Sequence, residues 1–209
     1  MNGNRSGIRR AVRSGTIVAL TLGLLLTVGC VGSKSPTRVD QANKYTRAGW
    51  ALFTDEDYEG ALEQFDLALV ELSEYQPAHL GRGWTLAFLR DFEEARFALV
   101  TARELNYSDI DAWAGGAFVY SQLGDHDRVV EWAETTLGLA LQAEQNWVFQ
   151  FRTQITHRHL RWTLAQSYWY RGSYVQCSLQ LDQLETGISH GTDPQTLLGH
   201  LQRLWLSPF

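Results

Sequence analysis

Three regularities in the 209 residues predict an all-α solenoid of about four helical hairpins closed by a C-terminal capping helix. From Asp40 onward apolar residues recur at helical spacing, and turn signals interrupt them roughly every 12–20 residues. The chain also repeats itself with a period of 34: Ala61, Ala95 and Val129 fall in register, as do Phe65, Leu99 and Ala133, and Ala68, Ala102 and Thr136. Finally, Thr192-Asp193-Pro194 offers an N-cap and an early proline, and Leu197, Leu198, Leu201, Leu204 and Trp205 then mark one face of a helix. A stack of hairpins leaves an apolar face bare at its end, and such a helix covers it.

Ahead of this domain, residues 1–29 carry four arginines, Arg5, Arg9, Arg10 and Arg13, and no acid. The apolar run Ile17–Val28 has the length of a signal-peptide core and is too short for a membrane span. It runs into Leu26-Thr27-Val28-Gly29-Cys30, which resembles the lipobox of bacterial lipoproteins, with Thr27 where Leu is commonest. The resemblance implies cleavage before Cys30 and diacylglycerol on its thiol. Each buried methylene of such chains contributes about 0.8 kcal/mol, so two or three chains make a stable membrane anchor. Val31 stands where an Asp, in enteric bacteria, resembles an inner-membrane retention signal; by that analogy the outer membrane, periplasmic face, is the expected location. Residues 30–39 then read as the lipidated cysteine and a short Gly/Ser/Pro-containing tether, reaching on the order of 15–20 Å.

Within residues 40–209 each expected unit has the same internal order. Small residues mark the first helices at Gly49, Gly83, Ala117 and Ala165. Tyr58, Phe92, His126 and Tyr174 open the second helices, and Ala61, Ala95, Val129 and Cys177 bring back a small residue there. Gly124 and Gly172 sit at turns, and Trp113 stands in the first helix of the third unit. On these residues, spread over 42–191, the chain resembles the tetratricopeptide repeat (TPR) family, whose paired antiparallel helices approach through small residues and build a right-handed superhelix. It departs from the family where Ser73, Tyr107 and Leu141 replace the usual closing proline and Ala133 the usual aromatic. Fourteen extra residues, Glu144 to His157, separate the third unit from the fourth. Fourteen residues are close to four helical turns, which predicts one long helix from about Asn146 to Arg171 with its apolar face in phase.

From Cys30 on, 14 Lys+Arg face 23 Asp+Glu, a net of −9 that argues against nucleic acid as a partner. The acids concentrate in residues 39–145, where runs such as Asp55, Glu56, Asp57 and Glu59 read as a solvated face. Cys177 is the one cysteine beyond the leader and lipobox, so no intramolecular disulfide is expected and Cys177 reads as a small buried hydrophobe. His157 and His159 are two apart and face different sides of a helix, while His79, His126, His190 and His200 are scattered. Zinc needs three or four convergent ligands, so no metal site and no cofactor is expected. No phosphate loop, zincin motif or nucleophile elbow is present, and the expectation is a protein that is not an enzyme.

In the TPR family the first helices line a concave surface. Carried onto this sequence, that places Trp50, Phe53, Trp84, Phe88, Phe118, Trp162, Trp169 and Tyr170 along the groove. Rings at helical spacing either fill the space between helices or line a cleft, and both readings stand at this point. The favoured function is an envelope scaffold or adaptor that binds other proteins, by peptide or helix, in an aromatic groove; the alternative is a lipid or acyl-chain carrier. A closed tunnel over the rings would favour the carrier and an open groove the scaffold.

Overall fold

The computed structural model describes residues 37–205, so the leader, Cys30 and most of the tether lie outside the described residues. Among the described residues there are nine helices: α1 Arg38–Thr54, α2 Tyr58–Glu71, α3 Gln76–Phe88, α4 Phe92–Leu105, α5 Ile110–Leu123, α6 His126–Gln142, α7 His157–Tyr170, α8 Tyr174–Leu184 and α9 Pro194–Leu204. Consecutive helices pack as antiparallel hairpins, α1/α2, α3/α4, α5/α6 and α7/α8. The first helices also touch along the stack, α1 on α3, α3 on α5 and α5 on α7, so they form an inner layer. α9 lies against α7 and α8 and closes the end, as the Asp193-Pro194 start predicts; the Asp193 carboxylate accepts the Thr196 N–H. No described helix is long and apolar enough to cross a membrane.

The repeat register holds residue by residue. The second helices begin at Tyr58, Phe92, His126 and Tyr174. The nine residues in 34-residue register, from Ala61 to Thr136, are all fully buried. Helix starts are capped by Asp57, Asp91, Asp109 and Asp125, whose side chains accept the otherwise unpaired N–H groups of the first turn. α1 begins at Arg38, two residues before the expected start, because Thr37 and Asp40 form a reciprocal capping box. Close helix approach depends on missing side chains: a Cβ on Gly83 would lie 2.5 Å from Leu99, and one on Gly116 would lie 2.0 Å from the Trp132 ring.

One expectation fails. The long helix from Asn146 to Arg171 does not exist: α6 ends at Gln142, and α7 starts only at His157. The intervening residues fold back as a short hairpin in which Val148 pairs antiparallel with Thr156, Phe149 N–H donates to Ile155 C=O at 2.9 Å, and His157 N–H donates to Trp147 C=O at 2.8 Å. Trp147, Phe149 and Phe151 alternate with Val148 and Gln150, which is no helical period; the backbone is extended around Val148, and the Arg152 N–H then donates to the Phe149 C=O at 3.1 Å and turns the chain back toward Ile155. Thr156 then caps α7 in a box with His159.

The turn inside each hairpin places one residue in the left-handed region: Glu56, Arg90, Gly124 and Gly172, with φ of 65°, 66°, 74° and 69°. The first three are 34 residues apart, so the repeat imposes the geometry and only the later units have the glycine that fits it. A side-chain-bearing residue held there costs about 1–2 kcal/mol. Arg90→Gly should therefore stabilise the protein by about 1 kcal/mol, and Gly124→Ala, whose added carbon meets no atom within 4 Å, should destabilise it by a similar amount. Urea unfolding of both variants checks this; a loss of stability in Arg90→Gly would refute it.

Candidate functional site

The inner layer carries the rings that the sequence placed on the groove, and the 143–156 hairpin covers five of the eight. Three of its aromatic side chains descend on three successive first helices. Phe151 stacks on Trp50 of α1, with ring centroids 3.7 Å apart and planes within 3°. Phe149 stacks on Trp84 of α3 at 4.0 Å and 17°. Trp147 meets Phe118 of α5 at 6.2 Å and 42°. The segment therefore runs back along the stack from the third unit to the first. At its tip the Arg152 guanidinium pairs with Glu56 at 2.6 Å, donates to the Tyr58 hydroxyl and lies over the Phe88 ring.

Trp50, Phe53, Trp84 and Phe118 are consequently buried, and Phe88 is half-buried between Phe53, Tyr58 and Arg152. In this conformation these five form the floor beneath the chain's own segment. Asp111, at the start of α5, fastens floor and cover together: its backbone C=O accepts the Trp84 indole N–H at 3.1 Å and its carboxylate accepts the Trp147 indole N–H at 2.6 Å. Burial pushes the Asp111 carboxyl up to about 6, against the opposing pull of the Trp147 hydrogen bond.

The other end of the inner layer is different. Between α5, α7 and α9 a cleft of about 590 Å³ remains, lined by residues that include Arg90, Gln122, His126, Gln166, Tyr170 and Trp205. A smaller recess continues it between Trp169, Leu198, Leu201 and Gln202. Of the expected groove residues here, Trp162 is buried and donates its indole N–H to Leu201 C=O at 3.0 Å. Trp169 is half-buried and donates to Pro194 C=O at 2.9 Å, so both fasten α9. Tyr170 is 58% exposed and stacks on the His126 ring at 4.4 Å. Burial holds His126 below the usual imidazole range, which favours the neutral ring in the cleft wall.

Trp147, Phe149, Phe151 and Trp205 lie outside the groove that the sequence predicts, although the alternation at 147, 149 and 151 is visible in it. The histidines are scattered along the sequence, whereas the fold brings His190 and His200 together with Glu185. Cys177 is fully buried and burial pushes its thiol up to about 12, which suits the small-hydrophobe reading.

Two outcomes follow from this geometry. Trp84→Ala should cost about 3–5 kcal/mol of folding stability, since it empties a buried ring site, and a variant that keeps its stability would contradict the packing described. The raised carboxyl of Asp111 means that the folded chain holds this proton more tightly than the unfolded one. Its contribution is therefore present in full below about pH 4 and is lost as pH rises through about 6, a swing of up to about 3 kcal/mol. Asp111→Asn should be more stable than the native chain at pH 7 and no more stable at pH 4, which urea unfolding at the two pH values measures.

No protein-family model matches the sequence, and no curated protein matches it. Solved structures do. YrrB, described as a TPR protein with an unusual peptide-binding site, aligns with a TM-score of 0.60 at 14% identity over 78% of this chain and 86% of its own. MamA aligns with a TM-score of 0.56 at 15% identity over 78% and 80%. A tetratricopeptide repeat protein from Parabacteroides merdae ATCC 43184 reaches 0.51 at 16% identity over 78% of this chain and 58% of that one. At such identities the likeness is one of fold, and with the 34-residue register and the hairpin order it gives one result: residues 37–205 fold as a tetratricopeptide-repeat solenoid.

Proposed function

We propose that this chain is a membrane-anchored adaptor of the bacterial envelope that holds a partner protein in the open end of its inner face. The TPR fold suggests protein–protein interaction in general. The observation that carries the finer reading is the asymmetry of the inner layer: one half is filled by an inserted segment of the chain itself, and the other half, bounded by α5, α7 and α9, is open. The filled half displays what this surface accepts, aromatic side chains laid ring on ring over the first helices. A partner segment of the same kind fits beside Tyr170 and Trp205, whose rings offer contact area at low entropic cost. The description of YrrB as having a peptide-binding site agrees with this use of the fold.

A lipid or acyl-chain carrier is the weaker reading. The cleft opens to solvent and carries Ser121, Gln122 and Gln166 among its lining residues, where an acyl chain would gain nothing from polar walls. The anchor itself rests on the resemblance of Leu26–Cys30 to a lipobox, and the outer membrane is the proposed site by the Val31 analogy.

Two experiments test the two parts separately. Cys30→Ala should abolish fatty-acid labelling and release the domain into the soluble periplasmic fraction; undiminished labelling would sink the anchor. For the cleft, a photocrosslinking residue at position 170 of the full-length protein in intact cells should give a discrete adduct that Trp205→Ala weakens by about tenfold, on the scale of one lost interface ring. The same residue at position 97, exposed on α4, should give none. Adducts independent of position, or indifferent to Trp205→Ala, would show that the cleft is not the contact surface.

A further inference from the structure

Glu185 ends α8, His190 lies in the connection from α8 to α9, and His200 sits midway along α9. Their ligand atoms all lie within 4.8 Å of one another. The His190 side chain is wholly buried; its Nε2 is 2.9 Å from Glu185 Oε2 and its Nδ1 2.8 Å from Asp182 Oδ1. His200 Nδ1 is 3.8 Å from the same Glu185 oxygen, and the two imidazoles meet edge to face at 4.4 Å. A positive group already converges here: one guanidinium nitrogen of Arg203 stands 2.7 and 2.6 Å from the two oxygens of Glu185 and 2.9 Å from His200 Nδ1.

We propose that Glu185, His190 and His200 form a zinc-binding site in which Zn²⁺ takes the place now held by the Arg203 guanidinium. Two imidazoles and one carboxylate are a donor set that zinc accepts, with a fourth position left for water. Calcium and magnesium, which prefer oxygen donors, fit it poorly. Asp182 supplies the outer support such a site needs. Its carboxylate accepts both the His190 backbone N–H, at 2.7 Å, and the ring Nδ1 proton, so Nε2, which hydrogen-bonds Glu185 at 2.9 Å, is the atom left to bind zinc once the metal displaces its proton. The Ser178 hydroxyl donates to the His190 C=O and holds the same residue from the backbone side. Arg203 can yield, because its side chain is 55% exposed and swings into solvent without opening the core. Zinc would then join α8, the 185–193 connection and α9 at one point, and α9 is a wall of the recess beside Trp162 and Trp169.

The test needs no partner protein. Isothermal titration of the full-length chain with ZnCl₂ should show saturable binding of one ion per chain, accompanied by a rise in melting temperature. His200→Ala and Glu185→Gln should each weaken binding by about tenfold or more, as loss of a ligand does, while circular dichroism shows the helices retained. His79→Ala, in the second hairpin, should leave binding unchanged. Arg203→Ala should tighten it, because a competing cation is gone, and since Arg203 is largely exposed this variant reports on the site without threatening the fold. The proposal is overturned by an absence of saturable zinc binding, by affinity that survives His200→Ala, or by weaker binding in Arg203→Ala.

Discussion

The stacking of Phe149 and Phe151 on Trp84 and Trp50 is the contact on which the inner face depends. A solenoid buries the sides of its repeats against one another, but nothing in the repeat covers the inner surface of the first helices. Here that surface is built from large rings, and leaving them in water would forfeit roughly 1.5–3 kcal/mol for each one. The inserted hairpin resolves this by laying its own rings over them, so the first three hairpins have a second apolar layer that plain repeats lack. Arg152 and Asp111 fix the two ends of that layer through polar contacts to Glu56 and Trp147.

The repeats were legible because their constraint is local and periodic. Ala61, Ala95 and Val129 must be small where two helices cross, and the 34-residue recurrence exposes that requirement without any knowledge of space. The hairpin is hidden by its length, which suits a helix. Fourteen residues fit four helical turns, yet Phe149 would fall on the opposite face of a helix from Trp147 and Phe151, and the backbone instead bridges at Val148 and turns at Gln150 and Phe151. Helical spacing also showed which face Trp50 and Trp84 share but could not show what lies over it, since the cover comes from another unit. Glu185, His190 and His200 carried no fixed spacing at all; the turn from α8 into α9 creates their proximity.

The two ends of the inner face therefore have different characters. At the first hairpin the aromatic floor is sealed, and its substitution speaks to folding. At the last hairpin Trp162 and Trp169 spend their indole N–H groups on the backbone of α9, which leaves Tyr170 and Trp205 as the rings that face solvent. The same residue type thus serves as structure or as surface according to whether a hydrogen-bond acceptor and a covering segment are at hand.

The Arg152 contacts to Glu56 and Tyr58 span 96 and 94 positions of sequence. In a simple array of repeats each unit senses only its neighbours, unfolding can begin at either end, and partly folded arrays are stable species. A strap running from the third unit to the first couples units that would otherwise melt separately. It raises the mean sequence separation of native contacts, so assembly of the first three hairpins is slower and more nearly all-or-none than their helical content alone would suggest. The fourth hairpin and α9, synthesised after the strap and outside its span, are left as the part of the molecule free to open on its own.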